Sequence, residues 1–204
     1  MIAGILRTET AKKHEALESL MFVNEIMNNS LSIANYKTLL TINYIIHQKL
    51  ENKLANMLDK DLAIELEINS RLKLNALEKD LAYWEIDNLT LPSLDFDLFV
   101  PEKNTAEILG ALYVLEGATL GGNVIKKHIL ANPNFKNHED GLNYYGVYGA
   151  ELGSKWKIFV TVLNNRVKEE DYERCINSAN QTFENLIKLS KQFSWHTQIF
   201  SPVY

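Results

Sequence analysis

The stretch "LYVLEGATLGGNVIKKHI", residues 112–129, has apolar residues at helical spacing, yet it carries Gly117, Gly121 and Gly122. A glycine inside a helix costs about 1 kcal/mol relative to alanine, and Gly110 lies one heptad upstream. Successive helical residues are rotated by about 100°. We therefore expect Gly110, Gly117 and Gly121 to share one narrow face, with Gly122 at its border.

A helix face made of glycine has two interpretations. Another helix could pack closely against it, and Ala111, Ala118 and Ala131 would also suit such a contact. Alternatively, a flat ligand could lie across the exposed backbone. The adjacent glycines at 121 and 122, with Gly117 one turn earlier, form a cleared surface that favours a planar ligand. The spacing alone leaves both interpretations open.

The rest of the chain predicts an all-α fold. Residues 1–91 contain no proline and only one glycine, so almost nothing interrupts helix formation there. We expect about six to eight helices in a single domain spanning residues 1–204. The predicted helices cover residues 2–20, 32–58 with Ser32 as N-cap, 61–84, 105–131, 154–165 and 169–193. A long connection at residues 87–104 and a loop with short helical pieces at residues 132–153 join them.

The composition excludes several classes of protein. The net charge of −5 gives no electrostatic basis for a nucleic-acid partner. The one cysteine, Cys175, cannot form a disulfide within the chain. The N-terminal residues lack the apolar core of a signal peptide, and no continuous apolar run suggests a membrane span. We therefore expect a cytoplasmic protein with no membrane partner.

A histidine on the first predicted helix is the candidate metal ligand. His14 lies between Ala11 and Leu17 at three-residue spacing, so it can share a partly apolar face. A neutral imidazole can ligate a metal through one nitrogen. Arg7 points within about 20° of the same direction, about 10 Å along the axis, where a guanidinium can hold an anionic group of the same ligand. The sequence contains neither a Glu-x-x-His pattern nor a zinc-type spacing.

These two motifs together resemble the heme oxygenases. The segment "LRTETAKKHEALES" precedes "LYVLEGATLGGNVIKKHI" by about a hundred residues, and the likeness extends to "GSKWKIF" and "SANQTFENLIKLSKQF". The similarity is greatest to the bacterial branch associated with bacteriophytochromes. The resemblance implies a heme oxygenase-like helical fold and oxidative cleavage of heme to biliverdin, carbon monoxide and ferrous iron.

The same resemblance implies the partners and the site residues. Heme is both cofactor and substrate, O2 is consumed, and a separate reductase or ferredoxin supplies electrons; a phytochrome could receive the biliverdin. His14 is implied as the proximal iron ligand, and Arg7 and Lys157 as contacts of the heme propionates. Gly117, Gly121 and Gly122 are implied as the distal helix lying over the heme face.

The chain departs from the family pattern at two positions. Many eukaryotic members have an aspartate directly after the first glycine, where this chain has Ala118, so proton delivery is left to Thr119 or ordered water. Thr161 stands where a further basic residue is expected. Three alternatives follow: a heme-binding carrier or sensor without turnover, a thiaminase-like enzyme using Cys175, or a helical interaction protein without a ligand.

Overall fold

The computed structural model describes residues 1–88, 91 and 93–199, and within these it contains ten α-helices and no strand. The all-α prediction is therefore confirmed. The helices are α1 (Ile2–Glu9), α2 (Ala11–Leu20), α3 (Val23–Met27), α4 (Ile33–Met57), α5 (Lys60–Glu65), α6 (Leu74–Tyr83), α7 (Thr105–Leu120), α8 (Gly122–Ala131), α9 (Leu152–Arg166) and α10 (Tyr172–Ile199). Short 3₁₀ turns lie at Ile68–Arg71, Pro133–Phe135, Glu139–Gly141, Tyr144–Gly146, Gly149–Glu151 and Glu169–Asp171. Leu89, Thr90 and Pro92 of the predicted long connection lie outside the described residues.

The helix count exceeds the prediction because three predicted helices are interrupted and because α3 was not predicted. The expected helix at residues 2–20 breaks at Thr10, whose buried hydroxyl donates to the Leu6 carbonyl oxygen at 2.7 Å. The expected helix at residues 61–84 breaks where Glu67 adopts a left-handed conformation with φ of 52°. As a result α1 buries Ile2 and Leu6, whereas α2 has no fully buried residue.

The predicted N-cap at Ser32 is confirmed, and α7 has a cap of the same kind. The Ser32 hydroxyl accepts a hydrogen bond from the backbone N–H of Asn35 at 3.1 Å, which caps α4. The Asn104 side chain accepts from the N–H groups of Ala106 and Glu107 at 2.9 and 3.2 Å, which caps α7. Both α4 and α7 are largely buried, and they form the centre of the core with α10.

Gly110 is the point of closest approach between α7 and α10. A Cβ atom at this position would lie 2.3 Å from the Cys175 carbonyl oxygen and 3.2 Å from the Ser178 Cβ. Backbone atoms cannot yield by this amount without moving a whole helix. The helix-packing interpretation of the glycine face therefore holds for Gly110.

We expect Gly110→Ala to lower the free energy of unfolding by about 1–3 kcal/mol, because an added methyl group forces the two helices apart. Urea denaturation followed by circular dichroism measures this change. Gly4→Ala is the matched control, since nothing lies within 4 Å of a Cβ at Gly4 and alanine favours the helix. Equal stability of the two variants would contradict the close packing of α7 on α10.

The α7 and α8 helices together, Thr105–Ala131, are long and apolar enough to cross a membrane by length and composition alone. However, 56% of the most apolar window is buried inside the protein. The core helix of a soluble protein has these same properties, and the many contacts of α7 with α10 are those of a core helix.

Candidate functional site

A cavity of about 700 Å³ brings the two sequence motifs together. His14 of α2 and Gly117 of α7 both line it, and both helices pack against α10, which contributes Phe183. This volume lies within the range of about 300–1,000 Å³ that is usual for ligand pockets. The protein's own side chains do not fill the space between the two motifs.

His14 lines this cavity, and one of its two ring nitrogens faces a carboxylate on the same helix. Its Nδ1 lies 3.6 Å from Oε1 of Glu18, one turn later on α2, and its ring packs edge-on against Phe183 with centroids 6.0 Å apart. The partner of one imidazole nitrogen determines which nitrogen is left for a metal. Glu18 lies beyond hydrogen-bond distance, but its position beside Nδ1 favours Nε2 as the nitrogen for a ligand in the cavity.

Gly117 provides bare backbone on the α7 wall. Nothing lies within 4 Å of a Cβ built at this position, so the glycine is not used for helix packing. Ala118, the next residue, also lines the cavity and is exposed. The backbone at residues 117–118 can thus be approached closely by a bound molecule.

The other two glycines of the motif have different surroundings, because α7 ends at Leu120 and α8 begins at Gly122. A Cβ at Gly121 would meet only the Ile125 Cδ1, at 3.6 Å, whereas a Cβ at Gly122 would lie 2.7 Å from the Tyr145 carbonyl oxygen. Neither glycine is among the residues that line the cavity. Gly122 faces the turn at Tyr144–Gly146 and lets α8 pack closely on it.

Two further predicted site residues also lie beside the cavity rather than in its lining. Thr119 is buried, and its hydroxyl donates to the Glu116 carbonyl oxygen at 2.9 Å. Lys157 is exposed on α9, directly after Trp156, which does line the cavity. The roles assigned to Thr119 and Lys157 stay predictions.

The cavity lining also suits an anionic group. Exposed Arg7 lies near the half-buried phenol of Tyr113, whose ring lies 5.9 Å from that of Trp156. Burial raises the pKa of Tyr113, although the Thr10 side chain and the positive charge of Arg7 partly offset this effect. At neutral pH a guanidinium and a neutral hydroxyl donor are therefore available to a carboxylate.

Sequence reasoning missed Tyr113 and Trp156 as lining residues. Tyr113 lies four residues before Gly117 and hence on the same helix face, which is a signal that periodicity could have supplied. No local pattern distinguishes Trp156, because its position depends on how α9 packs against α7.

The arrangement fits a metal held in a macrocycle. Among the side chains that the structure describes, no three histidine, cysteine, aspartate or glutamate groups converge on a metal position. A heme iron needs only an axial ligand from the protein, because the porphyrin supplies the other bonds. A cavity lined by the open backbone at Gly117 and by one imidazole, that of His14, is compatible with a flat molecule of that kind.

Comparison with known proteins agrees with this geometry. The family model described as heme oxygenase matches residues 1–192. The chain belongs to the heme oxygenase family. No individually curated protein matches the sequence of this heme oxygenase-family chain at a significant level.

Solved structures show the same fold. The heme oxygenase of Leptospira interrogans is 19% identical, with a TM-score of 0.73 over 94% of this chain and 98% of that one. Heme oxygenase-1 of the cyanobacterium Synechocystis sp. PCC6803, solved in complex with heme, is 17% identical, with a TM-score of 0.73 over 97% and 94%. The NO- and CO-bound heme oxygenase of Neisseria meningitidis is 20% identical, with a TM-score of 0.69 over 100% and 95%.

The environment of Cys175 argues against a cysteine nucleophile on this fold. The residue is fully buried, and burial raises the pKa of its thiol to about 12. A thiol with such a pKa stays protonated at neutral pH and is a poor nucleophile. Cys175 also lies outside the lining of the cavity.

Proposed function

We propose that this chain is an enzyme that cleaves heme oxidatively to biliverdin, carbon monoxide and ferrous iron, using O2 and electrons from an external donor. The observation that carries the proposal is the single cavity lined by both His14 and the bare backbone at Gly117. Membership of the heme oxygenase family supports the same reaction class.

In this proposal the imidazole of His14 would hold the iron through Nε2, with Glu18 beside Nδ1 on the other side of the ring. Bound heme supplies the iron at which O2 is reduced and the porphyrin carbon that is oxidised. The chain's contribution on the α7 wall is Gly117, which has no side chain and so leaves room for a flat molecule. Apolar residues such as Leu17 and Leu186 limit the entry of water.

Proton delivery is assigned to water beside Ala118 rather than to a fixed acid. Ala118 has no polar side-chain atom, and the Thr119 hydroxyl donates along the helix to the Glu116 carbonyl oxygen instead of into the cavity. The proposed role of Thr119 is therefore to hold the backbone in place, with its oxygen as a secondary acceptor for ordered water.

Arg7 is proposed to bind a heme propionate, with Lys157 as a second contact. We expect Arg7→Gln to weaken heme binding by about tenfold, because one charge-assisted hydrogen bond is lost. The Soret maximum is expected to be unchanged, because the variant retains His14. Titration with ferric heme, followed by absorption, measures both quantities.

The control for this prediction is Lys12→Gln, which removes an exposed positive charge of α2 outside the cavity lining. The dimethyl ester of heme provides a second control. It has no propionate charge, so it should bind equally well to the wild type and to Arg7→Gln. A similar loss of affinity for heme and its diester would contradict the propionate assignment.

The proposed partners are a reductase or ferredoxin that donates electrons and, as one possible acceptor of the product, a phytochrome that binds biliverdin. We propose a cytoplasmic location. The free, buried thiol of Cys175 is compatible with a reducing compartment of that kind.

The decisive experiment adds ferric heme and then ascorbate or reduced ferredoxin to the purified chain in air. Loss of the Soret band with appearance of the biliverdin spectrum is the expected result. A second candidate function, heme carriage without turnover, is favoured by one observation, the apolar Ala118 at the cavity wall. A Soret band that persists under these conditions would establish the carrier and overturn the oxygenase.

A further inference from the structure

A buried charge cluster begins at the residue directly before Gly117. The side chain of Glu116 is only 3% exposed. Its carboxylate accepts hydrogen bonds from Nη1 of Arg71 and Nζ of Lys73, each at 2.5 Å, and from the hydroxyl of Tyr148 at 2.9 and 3.0 Å. Both oxygens of this carboxylate therefore accept hydrogen bonds from side chains of the protein.

The partners of Glu116 are themselves tied to separate parts of the fold. Arg71 also donates to the carbonyl oxygens of Leu66 and, at 2.9 Å, of Lys155 on α9. The backbone N–H of Lys73 donates to Glu51 on α4 at 2.8 Å. The cluster thus fixes the C-terminal part of α7 relative to α4, α9 and the start of α6.

The cluster is electrically balanced. Burial by itself would raise the pKa of Glu116, but the charges of Lys73 and Arg71 outweigh this effect and the net direction is downward. Glu51 supplies a second carboxylate, 2.6 Å from Nδ1 of His47. Burial lowers the pKa of His47, and Glu51 is also bonded by the backbone N–H groups of Lys73 and Leu74, so each carboxylate of the cluster has its own set of donors.

Stability alone does not explain such a cluster. Removing two ion pairs from water is costly, and apolar residues of similar volume often stabilise a core equally well. What hydrogen-bonded ion pairs do supply is a fixed geometry, because each bond constrains both distance and direction. The cluster therefore constrains the position of α7 at Glu116.

The neighbouring backbone needs such a constraint. Gly117 has no side chain, and nothing lies within 4 Å of a Cβ built there, so no side-chain packing at this position holds the backbone. On the other side, Gly122 is held by close contact with Tyr145. Residues 117–121 thus lie between two anchors, one ionic at Glu116 and one steric at Gly122.

We propose that Glu116 is a positioning residue, which fixes the height and rotation of the bare backbone at residues 117–118 over the cavity. The inference rests on the proposed function, because it assigns Glu116 to the site that would hold heme. Glu116 does not touch the cavity; it acts through the helix that carries Gly117 and through its contacts with Arg71 and Lys73.

The first test uses the protein without heme. Hydrogen exchange of the amides at residues 117–120 is compared between the wild type, Glu116→Gln and Glu107→Gln. The control Glu107 lies on the same helix but pairs with Arg174 at the surface. We expect protection at these amides to fall by about tenfold or more in Glu116→Gln, with residues 108–112 unchanged, and no loss in the control.

The second test uses the complex with ferric heme and compares the affinities of imidazole and azide. A backbone that moves away from the cavity admits the bulkier ligand, so Glu116→Gln should raise the ratio of imidazole to azide affinity by about fivefold or more. A variant that is merely less stable would bind both ligands with an unchanged ratio. Glu107→Gln should match the wild type.

Tyr148→Phe is the second variant, and it decides the matter if Glu116→Gln fails to fold. It removes one hydrogen bond but keeps both ion pairs, so we expect a smaller change of the affinity ratio in the same direction. An unchanged ratio and unchanged exchange in every folded variant would overturn the proposal. Failure of the wild type to bind heme would instead overturn the proposed function, and the exchange measurement would still test the role of Glu116.

Discussion

Replacing His14 with alanine is expected to reduce heme degradation by at least about 100-fold, to the background level of free heme. The reason is that His14 is the cavity imidazole whose second nitrogen is available to the iron, with Nδ1 directed at Glu18. The heme spectrum should shift at the same time, because the axial ligand changes. Absorption spectra of the ferric complex and the rate of biliverdin formation measure the two effects.

The control for the His14 prediction is His128→Ala on α8. The His128 ring pairs with the Asn29 side chain at 3.3 Å and lies outside the cavity lining, so activity and spectrum should match the wild type. Imidazole added to His14→Ala should restore part of the original spectrum. A wild-type spectrum and rate in His14→Ala would show that another group holds the iron.

Gly117→Leu is expected to lower heme affinity by at least about 100-fold while leaving the fold intact. A leucine side chain at this position would start in open space on the cavity wall, because nothing lies within 4 Å of a Cβ built there. Since leucine is a better helix former than glycine by about 0.8 kcal/mol, the free energy of unfolding should stay constant or rise. Heme titration and urea denaturation test the two parts separately.

Gly110→Ala serves as the control. It should lower the free energy of unfolding, by weakening the contact between α7 and α10, but leave heme affinity unchanged. Its Cβ would press on Cys175 and not on the cavity, so the folded fraction should bind heme as the wild type does. If Gly117→Leu proved destabilising but bound heme normally, the glycine would serve helix packing, and the proposed distal surface would be wrong.

Much of the fold could be predicted from the sequence, because helix signals are local. The cap at Ser32 and the cap at Asn104 depend on residues within one turn. The breaks at Thr10 and Glu67 could not be predicted in the same way. Neither site carries glycine or proline, so no residue type marks the break in the sequence.

The candidate site was predictable to a similar degree. His14 and Arg7 both line the cavity, as predicted, although the spacing argument that related them assumed one continuous helix and the chain breaks between α1 and α2 at Thr10. The glycine face was only partly predictable, because the prediction assumed one continuous helix. In the structure α7 and α8 are separate helices. The partners of Glu116 lie 45 and 43 residues away in sequence, at Arg71 and Lys73, and no periodicity connects them.

The helix that carries His14 is short and has no fully buried residue, and an ion pair between Lys13 and Glu184 links it to α10. Ten residues are too few for a helix to be stable by itself in water. The packing of α2 on α10 supplies part of what it lacks, and a molecule in the cavity would contact the same helix through Ala11, His14 and Leu17. Binding in the cavity would therefore add to the stability of α2.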